Sequence, residues 1–162
     1  RAIEPSACPS LTKGKFAYDF GDTGGMTPLV KMHTLGSNFI PSGFHAGGLR
    51  YHGMAPIVSH LVNNGYVNPE SYTQLDVFKA GLLFAKNEGI IPAPEANHAV
   101  KGAIEAALRA KESGENKTIL FNLCGHGNFD MQAYTDYFDG KLFDQEYSDE
   151  EIGMALSGLP SV

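Results

Sequence analysis

The sequence predicts an α/β fold, and three features of its second half indicate this class. Three stretches there place apolar residues at helical spacing, and a glycine follows each of them. Residues 118–123 (TILFNL) form a continuous β-favouring run. A glycine-containing turn at residues 124–127 and another apolar helical stretch follow that run. The alternation of helix, strand, glycine-rich turn and helix is typical of α/β proteins.

The first 49 residues contain many structure breakers and predict only short elements. Residues 1–15, which include Pro5, Pro9 and Gly14, predict an irregular lead-in. Residues 16–36 alternate short apolar runs with glycines, which favours short strands and turns. Residues 37–49 contain one proline and three glycines, and predict a long loop of the kind that is usually functional or disordered.

Three helices are predicted between residues 52 and 113. The first covers residues 52–64 and is followed by Gly65, a typical residue just beyond a helix C-terminus. The second covers residues 75–88 and has apolar residues on most sides, which indicates burial. The third covers residues 95–113 and carries charges four residues apart on one face, which favours ion pairs along the helix: Lys101, Glu105 and Arg109.

The remaining elements are predicted from shorter patterns. Residues 90–92 predict a very short strand, and residues 118–123 predict a strand buried on both faces of a parallel sheet. Residues 130–138 predict a helix. A last helix near residues 148–156 follows Ser148 and three acidic residues, a favourable N-terminal capping signal.

Composition excludes several classes of protein. The chain has 162 residues, of which 43% are hydrophobic and 19% charged, with a net charge of −6. This composition suits one globular domain and disfavours nucleic-acid binding. No apolar run reaches the length of a membrane span, and residues 1–15 contain no signal-peptide core. The two cysteines, Cys8 and Cys124, match no CxxC pattern, so we expect a cytoplasmic protein.

The turn formed by residues 124–127 is the first candidate site. Ligands of open α/β sheets bind beyond the carboxyl ends of strands, and the turn follows a predicted strand. Gly125 and Gly127 would let the backbone approach a ligand closely. The alternative is an ordinary tight connection between a strand and a helix, and the local pattern does not decide between the two.

Two further segments carry possible binding groups. Glu95 begins a predicted helix, where the helix dipole favours a carboxylate, although acids are common at helix starts. His98 falls on the same face and is more typical of a packing or surface histidine. Gly47 and Gly48 precede Arg50, so amides and a guanidinium would suit an anion, but the spacing alone favours a glycine hinge before a helix.

The six histidines do not predict a metal site. They follow no HExxH or related ligand spacing. His52 and His60 would lie about two turns apart on the first predicted helix, too far to share one ion easily. The acidic run at residues 144–151 is most simply a solvated face.

Several motifs in the same order resemble the tryptophan synthase β chain, in particular its longer second type. Residues 88–99 (EGIIPAPEANHA) resemble the family signature EGIIPA.ES.HA. Residues 121–127 (FNLCGHG) resemble the later family motif NLSGxG. Three earlier segments are similar to the second type of β chain: residues 4–12 (EPSACPSLT), 18–23 (YDFGDT) and 45–53 (HAGGLRYHG). The resemblance runs from about residue 4 to residue 140.

This resemblance implies a fold and a cofactor. The fold would be part of the three-layer parallel sheet domain of the fold-type II pyridoxal-phosphate enzymes, incomplete without an N-terminal half. Residues 1–140 would belong to the cofactor domain, and residues 141–162 would form a C-terminal helical tail. The family joins L-serine, or phosphoserine in some relatives, to indole and forms L-tryptophan. The implied lyase would act as a homodimer completed by the rest of the β chain, with an α-type subunit as a possible partner.

The resemblance also implies roles for individual residues. Glu95 would lie beside the cofactor ring near its 3-hydroxyl group. Cys124 stands where the family has a serine facing the pyridine nitrogen, and Gly125 and Gly127 would keep the turn open. A neutral thiol would preserve the unprotonated ring that favours β-replacement, whereas a thiolate would alter it.

The sequence departs from the family pattern in two ways. Asn38 stands where the family usually has an aspartate in the region that closes over substrate, and Arg50 belongs to the same substrate region. The Schiff-base lysine and the glycine-rich phosphate cradle of the family cannot be found in these 162 residues. We therefore expect no catalytic residue in this segment, an isolated chain that is inactive, and cofactor binding only with the N-terminal half.

Other interpretations remain open at this stage. The chain does not begin with methionine, which processing, truncation or a partial record would explain. It would then be a segment of an active enzyme, or a non-catalytic remnant that serves as an interaction module. A serine or threonine deaminase-like relative is the third possibility.

Overall fold

Helices and short strands alternate along the chain in the computed structural model, which describes residues 1–161. The strands are β1 (Ala2–Pro5), β2 (Lys15–Asp19), β3 (Val30–Thr34) and β4 (Pro69–Tyr72). The helices are α1 (Pro56–Asn63), α2 (Gln74–Glu88), α3 (Pro94–Ser113), α4 (Met131–Phe138) and α5 (Asp149–Leu156). The predicted α/β class is therefore confirmed, with two-stranded sheets β1–β4 and β2–β3 among the described residues.

The chain divides into two compact units. The hairpin unit comprises Arg1–Gly43, Leu49–Ser71 and Gln145–Val162, and the helix-pair unit comprises Phe44–Gly48 and Tyr72–Asp144. The hairpin unit contains α1, α5 and the β2–β3 sheet. The helix-pair unit contains α2, α3 and α4, together with most of the candidate site residues.

An antiparallel hairpin forms the centre of the hairpin unit. Strands β2 and β3 pair from Lys15 opposite Thr34 to Asp19 opposite Val30. Asp19 is fully buried, and its Oδ2 accepts a hydrogen bond from Thr34 Oγ1 at 2.6 Å. Strand β3 is extended on its other side by a single bridge between Thr34 and Gly53. A hydrogen bond between two buried polar side chains thus joins the short strands of this unit.

The first residues are ordered by a buried carboxyl group. Glu4 is 3% exposed, and its side chain accepts hydrogen bonds from the backbone N–H groups of Leu11 and Thr12 at 2.9 and 2.8 Å. The hydroxyl of Thr12 donates a further hydrogen bond to it at 2.7 Å. Burial is the main influence on its pKa, which is raised. This arrangement, and the pairing of β1 with β4, give structure to a segment for which we predicted an irregular lead-in.

Helices α2 and α3 pack against each other in the helix-pair unit. Thr73 caps α2 through a hydrogen bond from Asp76 N–H, and Gly89 ends the helix with a φ of 70°. Proline at the first position begins α3, and Gly114 ends it with a φ of 69°. The apolar core is made by residues of α2 and α4, namely Val77, Phe78, Ala133 and Tyr134. Both glycine stops predicted from the sequence are confirmed.

Two of the predicted elements differ in the structure. The first helix begins at Pro56 instead of residue 52, so His52 lies outside it. Residues 118–123 form no strand, which corrects our prediction of a buried parallel strand. An inner strand of a parallel sheet needs a hydrogen-bonded neighbour, and none of residues 1–161 pairs with this run. Residues 90–92 form only one isolated bridge, between Pro92 and His126.

The remaining helix predictions are confirmed. α4 and α5 occupy the predicted positions, and Ser148 forms a complete capping box with Glu151 at the start of α5. On α3, Lys101 Nζ lies 2.6 Å from Glu105 Oε1, as the four-residue spacing predicts. None of the helices among residues 1–161 combines the length and apolar character that crossing a bilayer requires.

Candidate functional site

The turn at residues 124–127 lies against the segment that begins α3. Ala93 N–H donates a hydrogen bond to the carbonyl oxygen of Gly125 at 2.9 Å. Gly127 N–H donates one to the carbonyl oxygen of Ile91 at 2.7 Å. Cys124 is one residue before Gly125, and Glu95 is two residues after Ala93. Both therefore lie next to the hydrogen bond between Ala93 and Gly125. The structure thus brings together the two segments that carry four predicted site residues: Glu95, Cys124, Gly125 and Gly127.

Glycine is required at this contact by close packing. A Cβ atom on Gly127 would lie 2.5 Å from the carbonyl oxygen of Pro92 and 2.8 Å from Cγ2 of Ile91. A Cβ atom on Gly125 would lie 3.1 Å from Cβ of Ala93. The structure therefore gives a physical reason for the two glycines: they allow the turn to lie close to the start of α3.

Glu95 lies in the first turn of α3 and is half-buried. Its Oε1 accepts a hydrogen bond from the backbone N–H of Gly48 at 2.9 Å. The anion held by the glycine loop is therefore the carboxylate of Glu95, which answers the suggestion that these amides bind an external anion. Among residues 1–161, no hydrogen bond reaches Oε2, so one carboxylate oxygen remains available.

Cys124 presents an exposed thiol at the start of the turn. The side chain of the next polar residue, His126, accepts a hydrogen bond from Asn128 N–H through Nδ1 at 3.3 Å. Its ring lies 5.5 Å from that of Phe129. His126 is thus engaged in shaping the turn, whereas the thiol of Cys124 faces solvent.

A buried polar network supports this site, and sequence reasoning missed it. Asn97 is fully buried on α3, and its Nδ2 donates to the hydroxyl of Tyr134 at 3.1 Å. Tyr134 donates to the carbonyl oxygen of Pro92 at 2.5 Å. Burial is the main influence on the pKa of Tyr134, which is raised, so the hydroxyl stays protonated and able to donate. The sequence signal was an asparagine on the same helical face as Val100 and Ile104.

His98 is buried near the start of α3. It is 3% exposed, and its Nδ1 lies 3.0 Å from the carbonyl oxygen of Pro94. Burial lowers its pKa, so the imidazole is neutral at neutral pH and Nδ1–H donates. Within residues 1–161, Nε2 has no hydrogen-bond partner. The described residues contain no group of three or more His, Cys, Asp or Glu side chains arranged to hold a metal ion.

The two predicted substrate-region residues belong to the hairpin unit. Asn38 is exposed, in a turn next to Gly158. Arg50 is also exposed, and its Nη2 lies 3.5 Å from the carbonyl oxygen of Pro41. The α3 segment described above belongs to the helix-pair unit.

The polar groups at the start of α3 and on the turn suit one side of a flat heteroaromatic ring. A carboxylate with one available oxygen, a thiol and a glycine turn lie on two segments joined by hydrogen bonds. The amino end of a 20-residue helix adds partial positive charge near that carboxylate. Residues 89–100 and 121–131 contain no lysine that could form a covalent link to a ligand there.

Comparison with known proteins gives a consistent set of relatives. No protein-family model matches the chain. The chain is 59% identical to tryptophan synthase beta chain 2 of Aquifex aeolicus (strain VF5) over 143 residues, which are 88% of this chain and 33% of that protein. It is 60% identical to tryptophan synthase beta chain 2 of Methanosarcina acetivorans over 141 residues, 87% of this chain and 32% of that protein. The corresponding protein of Pyrococcus furiosus is 53% identical over 159 residues, 98% of this chain and 36% of that protein.

The match covers most of this chain, but the chain spans about a third of the length of the curated relatives it matches. The matched part is a C-terminal part of those proteins.

Proposed function

We propose that this chain, whose sequence matches a C-terminal part of the tryptophan synthase β chain, contributes one wall of a pyridoxal-phosphate site to a complete β chain. The complete protein would condense L-serine, or phosphoserine, with indole to give L-tryptophan. It would be a homodimer, with an α-type subunit as a possible partner. The observation that supports this proposal is the hydrogen-bonded contact between the start of α3 and the turn at residues 124–127.

Three groups of this chain would hold the cofactor ring. Glu95 keeps Oε1 bonded to Gly48, which orients Oε2 to accept a hydrogen bond from the ring hydroxyl. The thiol of Cys124 would lie at the pyridine nitrogen as a weak, neutral donor. Gly125 and Gly127 would keep the turn close to the start of α3.

The cofactor, when bound, acts as an electron sink for bond breaking at the amino acid. The work of this chain's residues is to orient the ring and to keep its nitrogen unprotonated. A neutral thiol satisfies the nitrogen without transferring a proton to it. The partial positive charge at the start of α3 lies near the Glu95 side chain.

The remaining parts of the site lie outside this chain in our proposal. The Schiff-base lysine and the phosphate cradle would come from the other two thirds of the β chain. Residues 1–140 would belong to the three-layer cofactor domain, and residues 141–162 would be its tail. Asn38 and Arg50 would belong to the substrate region. A chain without the covalent anchor and the phosphate site does not turn over by itself.

A full-length chimera tests the assignment of Glu95 and Cys124. In it, this chain replaces the matching third of the Aquifex aeolicus β chain 2. Cofactor binding is followed by absorbance during titration with pyridoxal phosphate. Cys124→Ser should leave the affinity unchanged, because a hydroxyl donates to the nitrogen as the thiol does.

The acid at the start of α3 is tested in the same chimera. Glu95→Gln should weaken cofactor binding about tenfold, corresponding to about 1.4 kcal/mol for a lost charged hydrogen bond. The matched control is Glu112→Gln, an exposed acid on the same helix. Equal affinities for these two variants, or loss of cofactor absorbance in Cys124→Ser, would refute the assignment.

A further inference from the structure

The C-terminal segment, residues 145–161, packs onto the first part of the chain within the hairpin unit. Lys13 Nζ donates a hydrogen bond to the carbonyl oxygen of Tyr147 at 2.8 Å and lies 3.8 Å from Asp149 Oδ1. Ile152 of α5 is 4% exposed. The end of the chain is therefore a fixed part of the unit that contains β2, β3 and the loop after β3.

Tyr147 holds that loop at two points of its backbone. Its hydroxyl accepts a hydrogen bond from Ser42 N–H at 2.9 Å and lies 3.5 Å from the carbonyl oxygen of Ile40, to which it donates. These two backbone groups lie on either side of Pro41. The ring of Tyr147 meets that of Phe39 edge to face, with centroids 4.9 Å apart. One side chain thus contacts both the backbone and a side chain of the loop.

The end of α5 contacts the beginning of the same loop, which comprises residues 36–43. A Cβ atom on Gly36 would lie 2.5 Å from the carbonyl oxygen of Ala155. A Cβ atom on Gly158 would lie 3.3 Å from Nδ2 of Asn38. The C-terminal segment therefore contacts the loop at both of its ends.

The loop has little structure of its own. Residues 36–43 form neither a helix nor a strand. Within this range one backbone hydrogen bond forms, from Phe39 N–H to the carbonyl oxygen of Gly36 at 2.9 Å. Segments with few internal hydrogen bonds open easily, so the contacts of Tyr147 are a large part of what orders this loop.

Both residues that the proposed function places in the substrate region depend on this loop. Asn38 is part of it, and Arg50 Nη2 lies 3.5 Å from the carbonyl oxygen of Pro41. Both side chains are exposed, so each can reach a ligand. A side chain meets a ligand in one geometry only when the backbone that carries or contacts it is held in place.

We infer that Tyr147 is a positioning residue for the amino-acid substrate, because it holds the loop that carries Asn38 and contacts Arg50. The inference rests on the proposed function. Tyr147 acts through the loop and contacts neither substrate nor cofactor. The ring-facing residues Glu95 and Cys124 lie in the helix-pair unit, so the loss of the Tyr147 hydroxyl weakens binding of L-serine and leaves cofactor binding unchanged.

Amide hydrogen exchange tests the hold on the loop. The protein is the full-length chimera described above, with residues 1–162 of this chain. Tyr147→Phe keeps the ring and removes the hydroxyl, and should speed exchange of the Ser42 amide about tenfold. Tyr66→Phe is the matched control, the same change at a tyrosine that is 78% exposed in the same unit. Equal exchange at Ser42 in the two variants overturns the inference.

Steady-state kinetics of the same chimeras test the effect on substrate. Tyr147→Phe should raise the KM for L-serine about fivefold, the loss expected for one hydrogen bond. The kcat should stay within about twofold, because an interaction that only binds substrate changes KM alone. Tyr147→Ala, which also removes the ring contact with Phe39, should raise KM further. Tyr66→Phe should keep the parent values.

The outcomes separate this inference from the proposed function. Equal KM values for Tyr147→Phe and Tyr66→Phe, in a chimera that forms tryptophan, overturn the inference and leave the proposed function intact. A loss of kcat or of pyridoxal-phosphate affinity as large as the change in KM indicates a general structural role and also overturns it. A parent chimera that binds no pyridoxal phosphate refutes the proposed function, and the inference with it.

Discussion

At the scale of single residues, buried polar side chains fix the geometry of both units. In the hairpin unit, Thr34 Oγ1 donates to Asp19 Oδ2 at 2.6 Å and accepts from Gly36 N–H at 2.9 Å. Asp19 and Thr34 have no exposed surface, so water cannot replace a lost partner. This one hydroxyl therefore joins β2, β3 and the turn that follows β3.

Substitution of Thr34 tests the importance of that hydroxyl. Thr34→Val should lower the free energy of unfolding by about 2 kcal/mol, because it removes the hydrogen-bond donor to the buried Asp19 Oδ2 and the acceptor for Gly36 N–H. Thr34→Ser keeps the hydroxyl and should cost less than about 1 kcal/mol. Urea unfolding of the chain measures both. Equal losses for valine and serine would show that the methyl group, not the hydroxyl, matters at this position.

The residue-level predictions came from local patterns, and the cofactor-binding roles that they give to Glu95 and Cys124 stay predictions. The positions of Glu95 and of the glycine turn followed from motifs, and the structure brings their segments together. The Gly48 contact to Glu95 and the hydrogen bonds of Asn97 and Tyr134 were not predicted. Those pairs join residues 37 to 47 positions apart, and such contacts depend on tertiary packing that no single sequence window contains.

At the scale of elements, the α2–α3 crossing depends on one glycine. A Cβ atom on Gly81 of α2 would lie 2.0 Å from Oδ1 of Asn97 on α3. Asn97 is buried and hydrogen-bonded to Tyr134, so its side chain has no room to move away. A glycine inside a helix costs about 1 kcal/mol of helix propensity, and here it permits close packing.

A matched pair of glycine substitutions separates these two effects. Gly81→Ala should destabilise the chain by about 2 kcal/mol through overpacking. Gly153→Ala in α5, where a Cβ atom would meet nothing within 4 Å, should stabilise it by about 0.5–1 kcal/mol through propensity alone. Thermal and urea unfolding measure both changes. Stabilisation by Gly81→Ala would mean that the two helices are further apart than described.

Helices were predicted better than strands for a physical reason. The glycines that end α2 and α3 and the serine that caps α5 are local signals, so their positions followed from the sequence. A strand requires a partner, and the run at residues 118–123 has none among the described residues. Its composition is that of a strand, while its backbone lacks the hydrogen bonds of one.

At the scale of the whole molecule, this chain corresponds to only part of each relative. The relatives are matched over most of this chain, while the chain spans about a third of their length. In our proposal, this chain holds ring-facing residues of a cofactor site. The covalent anchor and the phosphate-binding groups then lie in the rest of the β chain. Activity is then a property of the complete protein.

Tryptophan formation from L-serine and indole is the most direct test of this account. The assay compares the isolated chain with the full-length chimera, both supplied with pyridoxal phosphate, against a boiled control. We predict tryptophan from the chimera and none above the control from the isolated chain. Turnover by the isolated chain, or a folded chimera that forms no tryptophan, would contradict the account.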